Sequence, residues 1–84
     1  MKMLLATYIQ EFVNAMRERY MEKVSVYKSS WRTLPIHQLQ DRLREQVEEW
    51  NEALHTDNYK EAKKKLVDIG NLCWMIWNRM EETK

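Results

Sequence analysis

An all-helical fold is predicted by three features of this sequence. It has one glycine and one proline in 84 residues, which leaves little material for turns. No stretch alternates apolar and polar residues as a half-buried strand does. Apolar residues recur instead at every third or fourth position, the spacing that gathers them on one side of a helix.

The first helix is predicted over about residues 3–28, where Leu5, Tyr8, Ile9, Phe12, Val13, Met16, Tyr20, Val24 and Tyr27 keep that rhythm. The segment from Ser29 to Pro35 breaks it, because proline restricts the residue before it and suits a first helical turn. Thr33 or Leu34 then caps the second helix, with Thr33 chemically better suited. That helix, over about 35–55, carries Ile36, Leu39, Leu43, Val47, Trp50 and Leu54. Asp57-Asn58 forms a short turn, with Asp57 as the expected next cap. The third helix, over about 58–82, shows Tyr59, Ala62, Leu66, Ile69, Cys73, Ile76 and Met80 in register. The short link between helices 2 and 3 implies an antiparallel hairpin within a single domain spanning 1–84.

Such a small domain buries only about 60–65% of its unfolded surface and is marginal alone. An internal disulfide is excluded, since Cys73 is the single cysteine. Within Leu72-Cys73-Trp74 it is expected to behave as a small buried hydrophobe. It also suits a reducing compartment. Fourteen basic and thirteen acidic residues leave a net charge of +1. No basic excess marks a nucleic-acid binder. The opening Met-Lys-Met-Leu-Leu-Ala is too soon interrupted, by Thr7, Gln10 and Glu11, for a signal peptide. No run approaches the ~20 apolar residues of a membrane span. A cytoplasmic protein without membrane partners is expected.

Residues 66–77 depart from a plain bundle. Leu66, Ile69, Cys73 and Ile76 form one side, Val67 and Trp74 a flank, and Leu72 and Met75 the opposite side. A helix apolar all round is covered all round, and two helices of one chain do not suffice. The expectation is a bundle completed by homo-oligomerisation, most simply a two-fold dimer, with a tetramer also open. Gly70, at a cost of about 1 kcal/mol in a helix interior, is expected to permit close approach of a neighbouring helix.

Inside this run only Asp68 and Asn71 are polar, about 60° apart on the helix and turned from the Leu66–Ile69–Cys73 stripe. A carboxylate there needs a partner. Either Lys64, one turn earlier, neutralises Asp68 while Asn71 fixes packing register, or Asp68 is a cation ligand. On helix 2, Glu45, Glu48, Glu49 and Glu52 cluster opposite the apolar stripe, spaced so that two can share one divalent ion. As a solvated outer face this ridge needs no ligand. If it faces Asp68 instead, the result is an all-oxygen site, suited to Mg²⁺ or Mn²⁺ rather than zinc. His37 and His55 lie near opposite ends of helix 2, and a single glycine excludes a glycine-rich phosphate loop.

These residues resemble the MazG-like, all-α nucleoside triphosphate pyrophosphohydrolases, which pair an ExxE motif on one helix with an ExxD motif on the next. Leu43-Arg44-Glu45-Gln46-Val47-Glu48-Glu49-Trp50-Asn51-Glu52-Ala53-Leu54 is similar to the first motif, and Lys65-Leu66-Val67-Asp68 to the second. The lead-in Ser30-Trp31-Arg32-Thr33-Leu34-Pro35 is similar to that of short members, and the resemblance covers roughly residues 29–80. It implies hydrolysis of a nucleoside triphosphate between its α- and β-phosphates, giving a monophosphate and pyrophosphate. Metal ions there would neutralise phosphate charge and lower the pKa of the attacking water. By this resemblance Glu48 and Asp68 are metal ligands, Glu45 is a ligand or the water-positioning base, and Glu49, with Glu52, is an auxiliary acid. Arg32, Lys64 and Lys65 would meet phosphates, and Asn71 and Trp74 the base, although a tryptophan at helical spacing is more often core.

The chain departs from the pattern at Lys65, where the ExxD motif begins with glutamate. A metal-binding carboxylate is lost and a positive charge added. Glu61 shares nearly the same face as Asp68 but lies about 10 Å away along the axis. Three readings therefore stand together: a Mg²⁺-dependent pyrophosphohydrolase, a catalytically impaired nucleotide- or metal-binding module, and a helical interaction protein with a solvated acidic ridge.

Overall fold

The computed structural model describes residues 4–27 and 30–82. They form α1 (Leu5–Tyr27), a single 3₁₀ turn (Ser30–Arg32), α2 (Ile36–His55) and α3 (Tyr59–Glu82). Among the described residues there is no strand, so the all-helical expectation holds, and the bounds of α2 and α3 agree with those predicted to within a residue. The predicted ends at residues 3 and 28, and Ser29 of the predicted break, lie outside the described residues.

The caps differ from those predicted. Pro35 occupies the position before α2, and its carbonyl accepts from the amides of Gln38 at 3.0 Å and Leu39 at 3.4 Å. Pro35, not Thr33 or Leu34, thus holds the N-cap position, and it makes no side-chain cap hydrogen bond. Thr33 lies two residues outside the helix-entry position, in a turn of its own. At the other junction Asp57 is not the cap of α3. It adopts φ 55°, while the amide of Asn58 donates to Ala53 O at 2.9 Å and that of Asp57 to Leu54 O at 3.1 Å. This pair of bonds closes the C-terminus of α2 as a Schellman motif, normally completed by glycine. Asn58 then caps α3, its Oδ1 accepting from the amide of Glu61 at 3.2 Å. Spending Asp57 on the exit from α2 leaves the next residue to start α3.

α3 packs extensively against α2 and is crossed by α1. The crossing occurs at Gly70, where a Cβ would lie 2.8 Å from both Met16 Sδ and Phe12 Cζ. The glycine therefore does admit a neighbouring helix. Around the crossing Tyr20 and Trp31 pack against Trp74 with ring centroids 5.5 and 5.2 Å apart. Arg79 ties the 3₁₀ turn to α3 by donating to the carbonyl oxygens of Trp31 and Leu34.

The orientation of α3 overturns one expectation. Asp68 and Asn71 are buried, whereas Leu66 and Cys73 of the predicted core stripe are exposed. Because α3 is apolar on all sides, the hydrophobic pattern alone does not choose its inward face. The crossing of α1 over Gly70 and Asn71 does. Cys73 thus lies in the open, not in a core. The buried apolar core of the described residues is small: Trp31, Leu39, Ala53 and Ala62. No helix among them is long and apolar enough to cross a membrane.

Candidate functional site

The predicted site residues fall into two groups. On α2, Glu45 and Glu48 are exposed, as is Glu52. Glu49 turns toward α3, where its Oε2 lies 2.9 Å from Lys65 Nζ. The same ammonium stands 3.8 Å from Glu61 Oε1, one turn earlier on α3. The hydrogen bond to Glu49 raises the pKa of Lys65 above its ordinary value, against the opposing effect of partial burial. Lys65 therefore stays charged at neutral pH and forms a cationic bridge between acids of two helices.

Asp68 lies on the other side of the lysine, under α1. It is only 7% exposed, and its Oδ1 accepts from Arg19 Nε at 2.9 Å, with Lys23 Nζ at 3.6 Å. Arg19 also bonds Glu22 at 3.0 Å. Its pKa is raised first by Asp68, with Glu22 adding to the effect. A buried carboxylate is tolerable only with such partners. The partner predicted from local spacing was Lys64. It lines instead a shallow hollow with Ala15, Glu18, Arg19, Glu22 and Val67. Among the described residues no three His, Cys, Asp or Glu side chains lie together as metal ligands. Glu45, Glu48 and Asp68 are thus not gathered into one group.

Asn71 is a structural clasp. Its Nδ2 donates to Met16 O at 3.1 Å, and its Oδ1 accepts from Trp74 Nε1 at 2.8 Å. Arg32 lies over the ring of Trp31, 5.3 Å from the centroid.

A cleft of about 90 Å³ opens between these elements, lined by Tyr20, Lys23, Trp31, Leu39, Arg42, Asp68, Asn71, Leu72 and Met75. Its lining is mostly apolar. Asp68 Oδ2 is buried without a hydrogen-bond partner. Gln46 Oε1 on α2 is buried in the same condition. Sequence reasoning did not single out Arg19 or Lys23, and it placed Tyr20 only in the apolar stripe of helix 1 and Trp31 only in the lead-in to helix 2. A signal for the first two existed: Arg19 and Lys23 are four residues apart and interrupt the Met16–Tyr20–Val24 apolar face, which calls for a buried acid opposite.

The fold and these contacts define an all-α chain of three helices with a buried ionic cluster where α1 crosses α3. The sequence matches no protein-family model. It is similar to an uncharacterized protein of Archaeoglobus fulgidus, 26% identical over 74 residues that cover 84% of this chain and 80% of the relative. No solved structure matches.

Proposed function

We propose that this protein is a self-associating helical module that binds nucleotide on a pyrophosphohydrolase-like scaffold without hydrolysing it. The observation that carries this reading is the Lys65 ammonium, 2.9 Å from Glu49 and 3.8 Å from Glu61. The resemblance to MazG-like enzymes implies that acids on the second and third helices share divalent ions. Here a protein-borne cation neutralises Glu49, an auxiliary acid in that assignment, and Glu61, and so places a positive charge between the acids of α2 and Asp68. Asp68, the remaining acid of the ExxD-like stretch, already gives Oδ1 to Arg19 and Lys23. A metal ion arriving at this cluster meets three fixed positive charges. Without it no water is activated for attack on phosphorus. The same cations suit phosphate oxygens, so binding survives where turnover does not.

The hairpin in this reading is antiparallel, as its short link and the Lys65–Glu49 bridge favour, and a second copy completes the bundle. The exposed surface is 6704 Å², whereas a compact monomer of this mass exposes about 5,400 Å². The excess is comparable to what one partner buries in a standard interface, about 800 Å², with some to spare. Apolar side chains to fill it are at hand. Leu5, Tyr8, Ile9 and Phe12 are exposed on α1, and Tyr59, Leu66 and Met80, spaced by seven and fourteen residues, are exposed on α3 with Trp77.

Sedimentation equilibrium and thermal-shift measurements test both halves. A dimer or larger assembly and a metal-independent rise in melting temperature with nucleoside triphosphate are expected. Bound ligand at a hundred times its Kd contributes about 2.7 kcal/mol. A monomer, or no shift with any nucleotide, refutes the corresponding half.

A further inference from the structure

We propose that a second copy of this chain docks in an apolar corner between the outer face of α3 and the first turns of α1, with the two α3 helices antiparallel. The proposal rests on the self-association half of the reading above and assigns its interface. Tyr59, Leu66, Cys73, Trp77 and Met80 are exposed on α3. At 100° per residue they fall within about 60° of one another, and from Tyr59 to Met80 the stripe runs about 32 Å along the helix.

α1 supplies the roof of the corner. Every residue from Leu4 to Phe12 is exposed, whereas Met16, Arg19 and Tyr20 are half-buried. Leu5, Tyr8, Ile9 and Phe12 lie within about 100° of one another, on the same side as Met16, which meets Gly70. The face that grips α3 therefore continues past it, exposed. Followed back from Lys23 to Phe12, the contacts of α1 move around α3 toward the stripe. They pass from Asp68, about 155° from its centre, through Trp74, at about 85°, to Gly70, at about 45°. The first two turns of α1 thus stand over the side of α3 that carries the stripe.

A copy of the same chain fits this corner in area and in charge. The chain exposes 6704 Å² against about 5,400 Å² for a compact monomer of its mass. That excess is larger than the roughly 800 Å² each partner buries in a standard interface. Antiparallel about a two-fold axis, the seven-residue spacing sets Tyr59 against the partner's Met80 and Leu66 against the partner's Cys73. One stripe then serves both subunits. The ends of α3 decide the direction. Lys60 and Lys63 are exposed at its start, Glu81 and Glu82 at its end. Antiparallel helices bring these opposite charges together, whereas parallel ones would set lysine beside lysine and glutamate beside glutamate.

Sedimentation equilibrium of the intact chain reads the interface, and the parent is expected to dimerise. Trp77→Glu and Ile9→Glu, one on each wall of the corner, are each expected to weaken the dimer at least thirty-fold. Both side chains are more than half exposed in the single chain. Glu45→Lys, on the exposed side of α2, should leave association unchanged. Lys60→Glu combined with Lys63→Glu is expected to weaken the dimer about three- to ten-fold at low salt and less at high salt. This pair also serves if the substitutions in the corner unfold the chain. Strengthening by the pair overturns the antiparallel alignment. A dimer indifferent to Trp77→Glu and Ile9→Glu overturns this interface but leaves self-association standing. A monomeric parent overturns both, and flotation with vesicles of phosphatidylcholine and phosphatidylglycerol then shows whether a membrane surface takes the corner instead.

Discussion

Arg19→Met removes the guanidinium from Asp68 while keeping an apolar stem of similar length. Taking one partner from a buried ion pair costs about 3–5 kcal/mol when the remaining charge has no other partner. Here Lys23 remains 3.6 Å from the same oxygen, and the Arg19 side chain is itself partly exposed. The loss should therefore lie lower, at about 2–3 kcal/mol. For a domain of this length each kcal/mol shifts the melting temperature by about 4–8 °C, so a fall of about 10–20 °C is expected. The assay is thermal and urea unfolding by circular dichroism at one fixed protein concentration, since self-association makes stability concentration-dependent. Adding Asp68→Leu to Arg19→Met replaces the pair by apolar groups and is expected to recover most of the loss. A single variant within about 0.5 kcal/mol of the parent, the range of ordinary surface substitutions, would refute the claim that a buried carboxylate joins α1 to α3.

Three further outcomes follow from the local geometry. Asp57→Gly should stabilise the chain by about 0.5–1 kcal/mol, since the residue sits at φ 55° where glycine carries no Cβ penalty; chemical denaturation reads it. Gly70→Leu should destabilise by about 1–3 kcal/mol through overpacking against Phe12 and Met16. Gly70→Ala should lose less, because its gain of about 1 kcal/mol in helix propensity offsets the crowding. The pKa of Lys65 is raised from 10.5 by its bond to Glu49. The stability it contributes is therefore complete below pH 10.5 and lost as pH rises through the higher folded value. Melting temperatures of the parent and Lys65→Met should differ by a constant amount from pH 7 to 10 and converge above that.

The helices were legible because their signal is local. Periodicity marked all three, and the lone Gly70 marked the crossing of α1. Pro35 located the start of α2 to within a residue, but the capping assignments failed. At Asp57-Asn58 both side chains can cap, and the choice depends on which backbone must turn left-handed to leave α2. The inward face of α3 was hidden for a different reason. Leu66, Ile69, Cys73, Leu72 and Met75 make apolar surface on every side, so a remote helix decides what is covered. The partner of Asp68 was likewise remote: Lys64 is its neighbour along the helix, but Arg19 and Lys23 reach it from 49 and 45 residues away in sequence. That Glu45, Glu48, Glu49 and Glu52 share one helix was legible in the sequence. Which of them turns inward was not, since Glu49 rather than Glu45 or Glu48 meets α3.

Metal-dependent pyrophosphate release tests the central claim most directly. Purified protein is incubated with canonical and modified nucleoside triphosphates, with and without Mg²⁺ or Mn²⁺, beside a Lys65→Glu variant that exchanges the ammonium for a carboxylate. The account predicts no release from the parent and metal-dependent release, or at least metal binding, in the variant. Release by the parent with Mg²⁺, abolished by Glu48→Gln and Asp68→Asn, would contradict it and establish an active pyrophosphohydrolase.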